Sequence, residues 1–279
     1  MRNPVFINSL PKSGTHLLSK CLTIMGYSNI PSRFIAADWV VSQSLTKTVI
    51  KRALSNSLLT RNSVNVGLDV SAYVSERTMT QFLAEAAQVK TANFILGHAP
   101  YSDLLFNMLT AQQFKSFCVI RDPRDVLVSW THYLLKQSTH FAHCGHAGKN
   151  FEERVKMILD GGYLSNGIYV ESFASILRSI IGWMSTPGVM VVRFEDLIGD
   201  EGGGEKSTQH QTIRNIVDFL GVLNVDTDYV SSSLFGNSKT FRSGQIAGWC
   251  QEFSPDLKAV VNDRIGHLLP ILGYGKEYE

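Results

Sequence analysis

Apolar and polar positions follow two rhythms along this chain, and the first switch between them comes within its first 25 residues. Val5, Phe6 and Ile7 form a short apolar run that predicts a buried strand. Pro11 breaks it, and Lys12, Ser13, Gly14 and Thr15 make a small polar turn. Leu17, Leu18, Cys21, Leu22 and Met25 then recur at helical spacing, so a helix is predicted to start near Thr15.

The alternation continues. Residues 26–31 read as a turn, and 32–64, where Phe34, Ile35, Trp39 and Val40 stand among many hydroxyls, as a helix with loops near a pocket mouth. Val64 to Val70 reads as a second strand, Glu76 to Val89 as a helix, and Asn93 to Leu96 as a strand ending at Gly97-His98-Ala99-Pro100. A helix over Leu104 to Phe114 precedes a buried strand, Phe117 to Ile120, which stops at Arg121-Asp122-Pro123-Arg124-Asp125. Asp122 is predicted to cap, and Pro123 to open, a helix reaching about Lys136. Gln137 to Asn150 is a polar, histidine-rich loop, followed by helices over Phe151 to Leu159 and Tyr169 to Met184 and a strand over Val189 to Val192. Asp200 to Gln211, with three consecutive glycines, reads as a flexible surface excursion. Helices are predicted over Thr212 to Leu220 and Asp256 to Leu269.

Strands alternating with helices predict an α/β fold: one domain over residues 1–279 with a central, mostly parallel sheet flanked by helices and flexible loops near 137–150 and 199–211. Ligands of such sheets sit beyond the carboxyl ends of the strands. The turns at Lys12, His98 and Arg121 all fall at such ends, so they are expected to share one rim.

Composition narrows the partners. A chain of 279 residues with 44% hydrophobic and 18% charged residues is ordinary for a soluble globular protein. A net charge of +2 is too mild to argue for nucleic-acid or membrane binding. The cysteines Cys21, Cys118, Cys144 and Cys250 are scattered, suggesting neither a zinc ribbon nor a disulfide framework. No basic-then-apolar leader and no apolar run near the ~20 residues of a membrane span is visible, so a cytoplasmic location is expected.

The first turn carries chemistry. A strand, a glycine turn and a helix N-terminus converge free backbone N–H groups and the positive end of the helix dipole on one point. Lys12 adds a charge there, and Ser13 and Thr15 add hydroxyls. The order is not that of a Walker A loop, because Lys12 comes two residues before Gly14 and no upstream glycine supplies the long loop. The plainer reading is an ordinary surface turn. Arg121 at a strand end and Ser129, eight residues on, make a phosphate clamp on one reading and a surface pair of Arg121 with Asp122 or Asp125 on the other. His98 is either a general base with a pKa near ~6.5 or a structural histidine. His140, His143 and His146, with Cys144 among them, read as a solvated loop rather than a metal site.

Taken together these segments resemble a family. Pro-Lys-Ser-Gly-Thr after a strand resembles the 5′-phosphosulfate loop of sulfotransferases that use 3′-phosphoadenosine 5′-phosphosulfate (PAPS). VIRDPRDVLVSWTHYL resembles their 3′-phosphate segment, FRSGQIAGW their arginine-x-glycine segment, Phe194-Glu195-Asp196-Leu197 their Tyr-Glu-Asp-Leu, and His98-Ala99-Pro100 the turn that holds their base. The resemblance implies a P-loop-like nucleotide fold and in-line transfer of a sulfuryl group to a hydroxyl, or an amine, of a small-molecule or carbohydrate acceptor. The product would be 3′-phosphoadenosine 5′-phosphate (PAP), with no metal required. It implies catalytic roles for Lys12 and His98. It implies nucleotide contacts from Lys12, Ser13, Gly14, Thr15, His16, Arg121, Ser129, Phe194, Phe241, Arg242, Ser243 and Gly244. The chain departs from the pattern at Ala247 for glycine, Gly248 for aspartate, Phe194 for tyrosine, Leu17 for tryptophan and Leu234 for phenylalanine. Adenine packing is therefore expected from other residues, such as Phe235. The family's dimer segment is not recognisable in CQEFSPDL, which leaves oligomeric state open. Residues 32–45, 71–76 and 137–150 are expected to shape the acceptor pocket. Two rivals remain: an ATP-dependent small-molecule kinase, for which a Walker A order and a Mg²⁺ aspartate are missing, and a non-catalytic nucleotide-binding module.

Overall fold

The structure, a computed structural model, describes residues 2–36, 62–236 and 244–275; Trp39, Phe241, Arg242 and Ser243 lie outside the described residues. Its strands, in chain order, are β1 (Val5–Ser9), β2 (Ser28–Ile35), β3 (Ser63–Asn65), β4 (Tyr73–Ser75), β5 (Asn93–Gly97), β6 (Lys115–Ile120), β7 (Gly162–Tyr163), β8 (Tyr169–Val170) and β9 (Val189–Arg193). Five of them form one parallel sheet in the order β2-β5-β1-β6-β9. The other four make two antiparallel hairpins, β3 with β4 and β7 with β8.

Helices cover both faces of the sheet, so all five residues of β1 and of β5 are buried. Because side chains alternate along a strand, Val5 and Ile7 enter one core layer and Phe6 the other. The Val5 layer is closed by Leu18 and Leu22 of the helix Thr15–Ile24 and by Ile213 and Ile216 of the helix Lys206–Leu220. The Phe6 layer is closed by the helices Pro123–Lys136, Phe173–Ser185 and Pro255–Ile265, with the fully buried Trp183 against Phe6 at a centroid distance of 5.7 Å. Burial of side chains this large stabilises by about 1.5–3 kcal/mol each. Among the described residues, no helix is long and apolar enough to cross a membrane.

The sheet rim forms as the sequence pattern predicts, and five other segments do not. Residues 28–35 are a strand, not a turn leading into a helix. This strand is at the sheet edge and its register shifts between Asn29 and Phe34, which is where Pro31 is tolerated without breaking a ladder. The strand expected over Val64 to Val70 is a three-residue arm of a hairpin apart from the main sheet. The helix expected from Tyr169 starts at Phe173, where the Ser172 side chain accepts from the Ser175 amide.

The excursion expected near 199–211 is a single 3₁₀ turn, Asp200–Gly202, followed by the helix from Lys206. Its glycines serve close packing: a Cβ on Gly202 would meet Ile198 at 2.3 Å and the Gly244 carbonyl at 2.7 Å. The loop expected over 137–150 contains a four-residue helix, His143–His146, and is not simply solvated. His146 is 4% exposed, and His143 Nδ1 donates to the Leu134 carbonyl at 2.8 Å.

Candidate active site

The carboxyl ends of β1, β5, β6 and β9 meet at one rim and bring together the turns singled out above. After β1 the chain turns through Lys12 at φ 66° and Gly14 at φ 101°, both left-handed. Gly14 is required by contact as well as by torsion, since a Cβ there would meet the Phe194 ring at 2.7 Å. The Gly14 carbonyl accepts from Leu17 and Leu18, which starts the helix and leaves its first amides without intrahelical partners. Ser13 is fully buried, and its hydroxyl has no partner among the described residues. A buried, unpartnered donor at a helix N-terminus suits an anion.

Lys12 lies over the Tyr133 ring, with Nζ 4.3 Å from its centroid. Burial, aided by the charge of Arg121, lowers its pKa to about 8. The turn therefore presents an ammonium whose solvent has already been partly removed. His16 sits exposed on the first turn of the helix.

His98 follows β5 and is held from both sides of its own peptide. Its amide donates to the Ile35 carbonyl at 2.9 Å. The neighbouring Ala99 is clamped by Asn8, whose Nδ2 donates to the Ala99 carbonyl and whose Oδ1 accepts the Ala99 amide, each at 2.9 Å. Trp183 Nε1 donates to the same carbonyl at 3.0 Å. The half-buried imidazole packs edge-on against Phe34, and its Nδ1 lies 2.8 Å from the Ser9 carbonyl. A carbonyl only accepts, so Nδ1 carries the hydrogen and Nε2 keeps a lone pair. Loss of water lowers the His98 pKa to about 4; the bond to Ser9 opposes this, and the charges of His16 and Lys12 reinforce it.

Arg121 stands at the end of β6, where it pairs with Asp125 rather than with Asp122. Its guanidinium lies 3.5 Å from Asp125, donates to the Gln245 carbonyl at 2.9 Å and stacks on the Phe194 ring at 4.2 Å. The pair is not a surface one, because the Asp125 side chain is 2% exposed. Nε of Arg121 is buried and has no partner among the described residues. Ser129 is half-buried two turns along the helix that Asp122 caps and Pro123 opens.

Asp125 also accepts from the Ala247 and Trp249 amides at 2.9 and 3.0 Å, which pins the 244–249 segment beside Arg121. Burial pushes the Asp125 carboxyl above its usual range, and the charge of Arg121 pulls it back. Phe194 is the common floor: one ring supports the Gly14 turn and the Arg121 guanidinium. Leu234 is buried, and Lys20 donates to the carbonyls of Leu234, Phe235 and Gly236, fixing the turn that precedes residue 237.

Beside Tyr133 lies a cavity of about 40 Å³ whose lining includes Trp130, Leu134, His140, His146, Tyr163 and Glu171. His140, on the cavity wall, meets the Tyr133 ring edge-on at 5.8 Å, and Tyr133 in turn lies under the Lys12 ammonium. The supports supplied by Asn8, Ser9, Tyr133 and Asp125 were not singled out by motif. The available signal was a pair of polar residues, Asn8 and Ser9, closing an otherwise apolar buried strand, since buried polar groups require partners.

Comparison with known proteins gives a consistent result. The profile of the sulfotransferase domain matches residues 2–272. No curated protein matches the sequence. Among solved structures, mouse sulfotransferase SULT7A1 complexed with PAP is similar at a TM-score of 0.60 and 16% identity, covering 96% of this chain and 85% of that one. Retinol dehydratase in complex with androsterone and inactive cofactor PAP is similar at 0.58 and 18% identity, covering 95% and 80%. The same enzyme with retinol and PAP gives 0.55 and 17%, covering 100% and 84%.

Proposed function

Because the chain belongs to the sulfotransferase family, we propose that it acts as one domain over residues 1–279, transferring a sulfuryl group from PAPS to an acceptor hydroxyl and releasing PAP. The observation that carries this reading is the pair of buried donors without a partner among the described residues, Ser13 Oγ and Arg121 Nε, at adjacent strand ends beside the Lys12 ammonium. Two separate orphan sites, one at a helix N-terminus and one on a guanidinium, fit a nucleotide with phosphates at both ends of its ribose. PAP bound in the similar structures supports the same nucleotide here.

In this reading Lys12, Ser13, Thr15 and the first helix amides hold the 5′ end. Arg121 and Ser129 hold the 3′-phosphate, and the family resemblance adds Phe241, Arg242, Ser243 and Gly244 to the nucleotide contacts. The donor supplies an activated sulfur–oxygen bond. As that bond breaks, Lys12 balances the charge gathering on the departing phosphate oxygen. His98 Nε2 takes the acceptor proton as the new oxygen–sulfur bond forms. The mix of Tyr73 and Phe141 with serines and histidines in the segments 71–76 and 137–150 suits a small polar or amphipathic alcohol, or a sugar, as acceptor.

Arg121→Ala tests the clamp. Wild type is expected to bind PAP more tightly than 5′-AMP, and this variant to lose most of that difference, a change of about tenfold or more for one charged phosphate contact. Unchanged discrimination would reject the assignment.

The pH dependence has a defined sign. Below a pKa of about 4 the free protein protonates His98, and above about 8 it discharges Lys12. The profile of kcat/KM for the donor is expected to fall on the acid side near the first value and on the alkaline side near the second. PAP affinity is expected to weaken as pH rises through the Lys12 value, because an anion prefers the ammonium. Affinity that holds constant from pH 7 to 10 would remove Lys12 from the nucleotide site.

A further inference from the structure

Ser9 closes β1, is fully buried, and meets two parts of the site at once. Its Oγ lies 2.5 Å from Thr15 Oγ1 and 3.2 Å from His98 Nδ1, while its own carbonyl takes the Nδ1 hydrogen. The direction of this chain is set from the histidine end. Nδ1 carries its one hydrogen toward the Ser9 carbonyl, so it cannot accept from Ser9 Oγ; the hydroxyl takes at most a share of that hydrogen, and its own goes to Thr15 Oγ1. The hydrogen of Thr15 is then left over for a ligand oxygen at the turn.

We propose that Ser9 is a positioning residue that couples the two halves of the site: it keeps Thr15 a donor toward the nucleotide's 5′ end and ties occupancy of that end to the basicity of His98. This inference rests on the sulfotransferase reading above. An anionic oxygen that accepts from Thr15 makes Thr15 a better acceptor for Ser9, and Ser9 a better acceptor for the imidazole N–H, since linked hydrogen bonds polarise one another. The lone pair at Nε2 gains basicity in the state where a donor is bound. The other groups facing His98 are the charges of Lys12 and His16, the Phe34 ring and the Gly97 backbone. Lys12 and His16 act on the ring through space, so removing the Ser9 hydroxyl separates the relay from them.

The test is a ¹⁵N NMR titration of His98 in wild type and Ser9→Ala, each free and with PAP, alongside PAP affinities for Ser9→Ala, Thr15→Val and the double variant. PAP is expected to raise the His98 pKa in wild type and to raise it clearly less in Ser9→Ala. Each single variant is expected to weaken PAP binding by about fivefold to tenfold, and the double to add no more than about twofold, since both remove one linked contact. Equal PAP-induced shifts in wild type and Ser9→Ala, or losses that multiply in the double variant, would overturn the coupling. Should Ser9→Ala fold poorly, Thr15→Val against Thr15→Ser reads the same relay from its other end: a smaller PAP-induced shift in Thr15→Val alone supports it, and equal shifts refute it. Wild type that binds PAP no better than 5′-AMP would instead defeat the donor reading itself.

Discussion

Lys12→Ala is expected to lower turnover by about 100- to 1000-fold, the usual cost of deleting a preorganised charge from a transition state. The expectation follows from where the ammonium sits. It is held between a helix N-terminus, the Tyr133 ring and the charge of Arg121, and burial, aided by that charge, lowers its pKa to about 8. A charge in that state interacts strongly with developing negative charge and reorganises little during the reaction. The fold is expected to survive, because both lysine and alanine meet the same left-handed torsion at this position. Lys12→Arg is expected to recover only part of the activity, since a planar guanidinium does not replace a point charge in a tight turn. Steady-state kinetics with PAPS and an acceptor found by screening would measure both variants. Wild-type turnover in Lys12→Ala would remove the leaving-group role.

His98→Gln is expected to lose about 100- to 10,000-fold in kcat, the range for a positioned general base, with little change in PAP affinity. The variant keeps an amide donor for the Ser9 carbonyl but offers no basic nitrogen to the acceptor. In the free protein the imidazole is weakly basic, its pKa lowered to about 4 because loss of water disfavours the charged form. A bound anionic donor would favour the protonated form and raise that basicity. Kinetics paired with a thermal melt and a PAP titration separate the readings. Loss of kcat alone marks a base, whereas parallel loss of Tm and PAP binding would make His98 structural, held for the Phe34 contact.

Much of the rim was legible because its signals are local. The strand, turn and helix around Lys12 are written in consecutive residues, and Asp122 with Pro123 marked the start of a helix that does run over Pro123–Lys136. What stayed hidden depends on partners far along the chain. Asn8 and Ser9 acquire their roles from Ala99 and His98, about ninety positions away, and no spacing within β1 points to them. Asp125 belongs equally to Arg121 and to the Trp249 amide, so a choice between a surface pair and a clamp could not be made from either residue alone. Phe194 shows a different limit. Read against a tyrosine it is a lost hydroxyl, yet its ring packs on Gly14 and carries Arg121, a role that needs no hydroxyl. The edge strand Ser28–Ile35 was missed because Pro31 and the polar residues around it carry no alternating pattern.

The central claim is that this rim is built for a nucleotide phosphorylated at both ends of its ribose. Isothermal titration calorimetry of the wild-type protein with PAP, 5′-AMP and ATP, with and without Mg²⁺, tests it most directly. The account predicts that PAP binds tightest, by about tenfold to 100-fold over 5′-AMP for charge-assisted 3′-phosphate contacts, and that Mg²⁺ leaves the order unchanged. Equal affinities, or a Mg²⁺-dependent preference for ATP, would contradict it and favour phosphoryl transfer at the same rim.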